Sequence, residues 1–233
     1  EEGISIYDGV QTKVYKPSEF HRQNANPIGN QTHFIAGDKD GNVFFDSDQS
    51  LIRYDIQTQK FSCLRKSNVY TVASIKGTIW VGIADSILTW NPDKNDFDFV
   101  TRLENRNQRA TCLLEDSGGR YWIGTTDGLF RMNDDKSLTC MIMGEDIYDL
   151  YEDSKYNLWI SIRMNGIYKR DVHGNFTRYR YDPSNPNNIS SNQVRDFVED
   201  HFGNIWFGTF TGLNKYNPTS NQFEVYARNP LPG

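Results

Sequence analysis

The chain has 233 residues, 14% of them aromatic and 24% charged, with a formal net charge of −5. That balance argues against a phosphate-binding surface, which needs clustered Lys and Arg, so nucleic-acid binding is set aside. No apolar run reaches 18 residues, so no segment reads as a membrane span, and the length suffices for one large all-β domain or two small ones.

In chain order, Gly3-Ile4-Ser5-Ile6-Tyr7-Asp8 and Val14-Tyr15 match the third and fourth strands of a unit that returns later, and predict the two outer strands of a partial blade over 3–20. An aromatic anchor then recurs at Phe44, Trp80, Trp122, Trp159 and Trp206, at intervals of 36, 42, 37 and 47 residues. A period of this size marks a repeat protein. Ten residues beyond the anchor stand Tyr54, Trp90, Met132 and Tyr216, with the fourth copy slipped by one to Arg170. Seventeen beyond it stand Phe61, Phe97, Phe176 and Phe223, with Thr139 the exception.

Four short strands fit each copy. In the fifth they are Val194 to Val198, Ile205 to Gly208, Leu213 to Tyr216 and Phe223 to Tyr226. Three residues before the anchor lies Gly41, Gly77, Gly119 or Gly203, supplying the positive φ of a hairpin turn. In the fourth copy, Tyr156-Asn157, Asn157 is expected to take that conformation. Asn91-Pro92 and Asn217-Pro218 mark the turn before the outer strand. The fold class is all-β: a β-propeller of four-stranded antiparallel blades, five full blades plus two outer strands of another. The blades span about 28–65, 70–102, 109–143, 145–180 and 190–228. Their anchors are expected to stack on one another, each burying roughly 150–250 Å². The partial first blade predicts part of a larger ring, or a homodimer formed through open blade edges or the propeller face.

The paired acids Glu115-Asp116, Glu152-Asp153 and Glu199-Asp200 suggest general acid–base chemistry, as in glycosidases. Their recurrence at one position in three blades favours a turn-capping role, since an active site needs them once. A sialidase Asp-box is excluded by spacing: Ser117, Ser154 and His201 occupy the position it requires for Asp. Asp38-Lys39-Asp40-Gly41 and Asp93-Lys94-Asn95-Asp96 read as turns, because neither has the spacing of a calcium loop. The histidines His21, His33, His173 and His201 show no metal spacing. Cys63, Cys112 and Cys140 form no C-x-x-C pair and are expected to be buried apolar residues. No metal, cofactor or catalytic residue is assigned.

The block Asp200-His201-Phe202-Gly203-Asn204-Ile205-Trp206-Phe207-Gly208-Thr209-Phe210-Thr211-Gly212-Leu213, preceded by Asn188-Ile189-Ser190-Ser191-Asn192-Gln193-Val194, resembles the two-component regulator propeller repeat. Copy three keeps the pattern, copy four departs at Ser161 and by one inserted residue, and copies one and two keep only the anchor, turn and outer strand. The resemblance implies the periplasmic sensor of a hybrid two-component system, recognising an oligosaccharide and signalling to a histidine kinase outside this segment. It also implies that this segment performs no catalysis and makes no membrane contact.

The non-repeating loops after the second and fourth strands of each blade share one face, and functional loops belong on such a scaffold. Candidate ligand-binding residues there are Arg106, Arg109, Asp127, Arg163, Asn165, Tyr181 and Phe210. Aromatic planes suit the apolar face of a sugar, and Arg, Asn and Asp suit its hydroxyl and acidic groups. A protein-binding scaffold is the alternative reading, and a propeller lyase or glycosidase is disfavoured because the carboxylates are periodic.

Overall fold

The structure is a computed structural model and describes residues 4–7, 9–15, 32–47 and 50–227. Those residues form 22 strands and no helix. The expected strands and loops at 3, 8, 16–31 and 228 lie outside them. Two compact units divide the chain, Glu1–Ala110 and Thr111–Gly233.

In the first unit, β1 (Ile4–Tyr7) and β2 (Thr12–Tyr15) pair antiparallel. Blade 1 follows with β3 (Ile35–Gly37), β4 (Val43–Ser47), β5 (Ser50–Asp55) and β6 (Lys60–Lys66), and blade 2 with β7 (Val69–Ile75), β8 (Thr78–Ile83), β9 (Ser86–Asn91) and β10 (Asp96–Arg102). The second unit holds blade 3, with β11 (Ala110–Glu115), β12 (Tyr121–Thr125), β13 (Gly128–Met132) and β14 (Leu138–Met143). Blade 4 is β15 (Ile147–Glu152), β16 (Leu158–Ile162), β17 (Gly166–Arg170) and β18 (Phe176–Tyr179). Blade 5 is β19 (Val194–Glu199), β20 (Ile205–Thr209), β21 (Gly212–Asn217) and β22 (Gln222–Ala227). Each blade is a four-stranded antiparallel meander in sequence order, the architecture of a β-propeller.

The turn between the first two strands is built by one aspartate. In blade 5 the Asp200 carboxylate accepts the Asn204 N–H at 2.9 Å, and Asp38, Asp116 and Asp153 do the same for Asn42, Arg120 and Asn157 at 2.8, 2.9 and 2.8 Å. Gly41, Gly77, Gly119 and Gly203 hold φ of +85°, +74°, +76° and +79°, as the turn requires. In blade 4 the expectation for Asn157 is corrected: Tyr156 takes the left-handed conformation, at φ +64°. Asn157 gives both its backbone N–H and its carboxamide to Asp153, so it closes the loop and the left-handed slot stays three residues before the anchor.

The same aspartates reach a second donor. Trp122, Trp159 and Trp206 each donate the indole N–H to Asp116, Asp153 and Asp200 at 2.8 Å. Burial works to raise the Asp116 carboxyl, but bonds from Trp122 and Arg120 outweigh it and hold it below the usual carboxylate range. The Trp206 bond, opposed by some burial and joined by Asn204, holds Asp200 well below that range. The neighbouring glutamates do something else. Glu152 accepts from the Ser117 backbone N–H and hydroxyl at 2.6 and 3.0 Å, and Glu199 accepts from both groups of Ser154. Each glutamate thus clasps the turn of the blade before its own.

The anchors do not stack on one another as expected. Phe44 meets Trp90 edge-on at 5.3 Å, Trp159 meets Tyr216 edge-on at 4.8 Å, and Trp122 lies beneath the Arg170 guanidinium at 5.3 Å. The anchor therefore packs on the third strand of the next blade, where an edge-to-face contact suits the ring quadrupoles. Phe44, Trp122 and Trp159 are fully buried, whereas Trp206 is half-buried. Gly124 permits this close packing: a Cβ there would lie 2.3 Å from Cys112 Sγ. The cysteines are also corrected, since Cys63 and Cys112 are half-buried and Cys140, on outer strand β14, is exposed.

Asp153→Ala leaves the buried Trp159 N–H without its acceptor and opens the turn, so it should cost about 1–3 kcal/mol in urea denaturation. Glu152→Ala removes only the exposed clasp on Ser117 and should cost less than about 1 kcal/mol.

Candidate functional site

The loops after the second and fourth strands of blades 4 and 5 gather the most unusual side chains. A turn of Arg163, Met164 and Asn165 joins β16 to β17, one residue longer than the Thr126-Asp127 turn of blade 3. Met164 stands at φ +58° with its side chain 68% exposed, an uncommon conformation for a residue other than glycine. The backbone of this turn is fixed by Arg163 N–H to the Asp146 carbonyl at 2.7 Å and Asn165 N–H to the Ile162 carbonyl at 3.1 Å.

Below the turn, β15 pairs β16 with a register shift between Ile147 and Asp149, so Tyr148 is the extra residue of a β-bulge. The equivalent shift in blade 5, between Val194 and Asp196, makes Arg195 the extra residue. Tyr148 lies between two guanidinium groups, Arg163 at 5.0 Å and Arg195 at 5.3 Å from its ring centre. Arg195 also donates to the Tyr148 hydroxyl at 3.2 Å, and Arg163 to Asp146 at 2.8 Å. Both arginines lie against an aromatic plane and are exposed, which suits them to hydroxyl or carboxylate groups.

Asn165 ties this cluster to the long segment before β19. It donates to Glu145 at 2.6 Å and accepts from Arg180. Gly166 N–H bonds the Asn192 carbonyl at 3.0 Å, and the Asn192 side chain accepts from Tyr181 N–H at 2.8 Å. Ile189 is buried within the blade 5 core, and Ser190 bonds the buried Asn214, so this segment is pinned in place. Phe210 N–H bonds the Gln193 carbonyl at 3.2 Å, and its ring is 75% exposed.

Of the candidates read from the sequence, Arg163, Asn165, Tyr181 and Phe210 belong to this connected rim of blades 4 and 5. Asp127 occupies the matching turn of blade 3, where its carbonyl accepts from Gly144 N–H at 2.9 Å. Arg106 and Arg109 lie in the first unit; Arg106 is exposed, and the Arg109 guanidinium sits 4.8 Å from the centre of Tyr70, the bulge residue of β7. Sequence reasoning missed Tyr148 and Arg195, which belong to strands. The available signal was the arginine or tyrosine at the start of the first strand in successive copies. Among the described residues, no group of three or more His, Cys, Asp or Glu is arranged to hold a metal ion.

Next to the bulge, burial pushes the Asp149 carboxyl up to about 6, with the Asp196 charge adding to the effect against a hydrogen bond from its own strand. The folded protein therefore binds more protons here than the unfolded chain between about pH 4 and 6, and its stability falls as pH rises through that window. Asp149→Asn should remove this decline, leaving the variant on the order of 2–3 kcal/mol more stable relative to wild type at pH 7 than at pH 4, by urea midpoints.

Comparison with known proteins agrees with the repeat pattern. The two-component regulator propeller family matches residues 106–127 and 188–211. Over 180 residues, 69% of the chain, the sequence is 39% identical to histidine kinase P4 of Formosa agariphila, of which it spans 13%. The extracellular domain of a hybrid two-component system from B. thetaiotaomicron has a TM-score of 0.68 over 93% of this chain and 36% of that one, at 18% identity. Virginiamycin B lyase from Staphylococcus aureus scores 0.66 over 88% of this chain and 71% of its own, at 15% identity. Both structures share the fold. The chain thus carries two stretches that match the two-component regulator propeller repeat.

Proposed function

We propose that this chain is the extracytoplasmic ligand-sensing propeller of a transmembrane two-component sensor, and that its rim in blades 4 and 5 recognises a glycan fragment. In this reading the segment lies in the periplasm and passes its signal to a histidine kinase domain elsewhere in the protein. The two repeat matches and the kinase relative support the sensor role, and the extracellular two-component domain of the same fold supports the location.

One observation carries the binding site. Tyr148 lies against two guanidinium groups, Arg163 and Arg195, in the same two blades as the exposed rings of Phe210 and Tyr181. The rings offer platforms for the apolar face of a sugar, and the oriented guanidinium groups offer donors to its oxygens. A non-catalytic role is supported by how the paired acids are used. The aspartates hold Trp indoles and turns, and Glu152 and Glu199 hold serines. The exposed Met164 and Phe210 beside arginine also fit a protein partner, since Met, Arg and aromatic residues are enriched at such interfaces.

Calorimetry against neutral and acidic oligosaccharides tests the site. Saturable binding of one class is expected, weakened at least about tenfold in Arg163→Ala/Arg195→Ala and in Arg163→Ala/Tyr181→Ala. Equal affinity in wild type and both double variants rules out this rim. Binding of a purified protein partner with no glycan response favours the second reading.

A further inference from the structure

Blades 4 and 5 carry one sheet face of the same make. Trp159 pairs with Lys169 across β16 and β17, and Trp206 with Lys215 across β20 and β21. Each lysine lies over its own tryptophan at 5.6 Å. On the outer strand Tyr179 and Tyr226 stand in matching slots, opposite Ile167 and Leu213, with their rings 6.5 and 5.4 Å from the two indoles. Blade 4 shows this face covered, and blade 5 shows it bare.

Over blade 4 the cover is blade 5 itself. The Tyr216 ring meets Trp159 edge-on at 4.8 Å, and its hydroxyl accepts from Lys169 at 3.2 Å. Glu199 takes the Ser154 backbone N–H at 2.7 Å. Trp159 and Ile167 are fully buried as a result, because a ring, a strand and a carboxylate of the following sheet close over them.

In blade 5 the same groups are open. Leu213 and Tyr226 are 42% and 49% exposed where Ile167 and Tyr179 are 0% and 8%, and Trp206 is half-buried. Among the described residues Lys215 has no hydrogen bond or ion pair, and the His201 N–H, in the place of the Ser154 N–H, has no acceptor. A Cβ built at Gly124 would meet Ile147 of the following blade at 2.7 Å, whereas one built at Gly208, in the same slot, meets nothing within 4 Å. Contiguous exposed apolar groups of this kind mark an interaction surface.

We infer that this face of blade 5 seats one further blade of the same repeat, carried on the same polypeptide, which presents a tyrosine to Trp206 and Lys215 and a glutamate to the His201 N–H. The occupant is a blade because the face repeats, group for group, one that a blade covers. It belongs to the same polypeptide because a blade here is covered by the one that follows it along the chain, as Trp90 of blade 2 meets Phe44 of blade 1 and Tyr216 meets Trp159. A second copy of this chain does not offer the pair. Glu152 and Glu199 are bonded to serines and Tyr216 to Lys169, while blade 1, with Tyr54 in the tyrosine slot, has Gly37 where the glutamate stands. The contact holds whatever the rim binds.

The test extends the protein, with residues 1–226 followed by a second copy of 180–227, so that the copy follows Tyr226 as blade 5 follows Tyr179. Trp206→Phe in the copy leaves the original indole as the one that is read. Hydrogen exchange of the Trp206 indole N–H, followed by NMR, should slow at least about tenfold relative to the original chain, with Trp122 and Trp159 unchanged. Glu199→Ala/Tyr216→Phe, confined to the copy, should return the rate toward that of the original chain. His201→Pro in blade 5 should do the same with the copy intact, because it removes the N–H that the copy's glutamate would take. Proline is favoured at the second position of a turn closed from Gly203 N–H to the Asp200 carbonyl, so this variant should leave the melting temperature of the original chain unchanged. An unchanged Trp206 rate in the extended protein, whether or not the added part folds, overturns the inference, and so does protection that survives both variants. It also fails if the original chain scatters light as a dimer and already protects Trp206, since a second copy then covers the face.

Discussion

Much of this structure depends on one carboxylate placed six residues before a tryptophan. In blades 3, 4 and 5 that aspartate accepts the N–H that closes the first turn and the indole N–H of the anchor. An unpaired indole N–H in a buried site is costly, and so is an unclosed turn, and one ionised acceptor answers both. Blade 1 shows how the two roles separate. Asp38 still closes its turn on Asn42, but the anchor is Phe44, which has no N–H to satisfy. In blades 1, 3, 4 and 5 the aspartate closes the turn, and in the three of these whose anchor is tryptophan it also accepts the indole N–H.

Neighbouring blades are joined by two contacts of different character. The anchor lies against the third strand of the following blade, and the glutamate of that following blade reaches back to a serine of the earlier turn. The first buries apolar area and is non-directional in its main energy; the second is directional and exposed. Because each unit of the repeat leans on the next, its stability is shared. Loops that protrude from such a scaffold can depart from the pattern without loss of the fold.

Blade 4 contains two clear departures, one in a turn and one in a strand. The turn Arg163 to Asn165 is one residue longer than its counterpart in blade 3, which lifts Met164 into a left-handed conformation at the rim. In β17 itself, Arg170 stands in the slot where blade 5 has Tyr216. Arginine thus gathers on both sides of blade 4, around Tyr148 where it meets blade 5 and over Trp122 where it meets blade 3. Near the Tyr148 cluster, burial raises the Asp149 carboxyl, and the like charge of Asp196 adds to the effect.

The strand pattern, the turn glycines and the recurrent Asp and Trp were legible in the sequence, because each is set by residues within one blade. Alternation, turn chemistry and a fixed spacing are local quantities, and they fall inside a window of about 20 residues. The left-handed residue of blade 4 was misplaced at Asn157, since asparagine favours that conformation, while the Asp153 loop gave the slot to Tyr156. Contacts across 35 to 47 residues were not legible: Glu152 with Ser117, Arg195 with Tyr148, and Lys169 with Tyr216. The sequence by itself determined what a blade is and how many follow one another. Only the tertiary structure decided what each anchor lies against and which arginines meet, because those depend on the angle at which one sheet packs on the next.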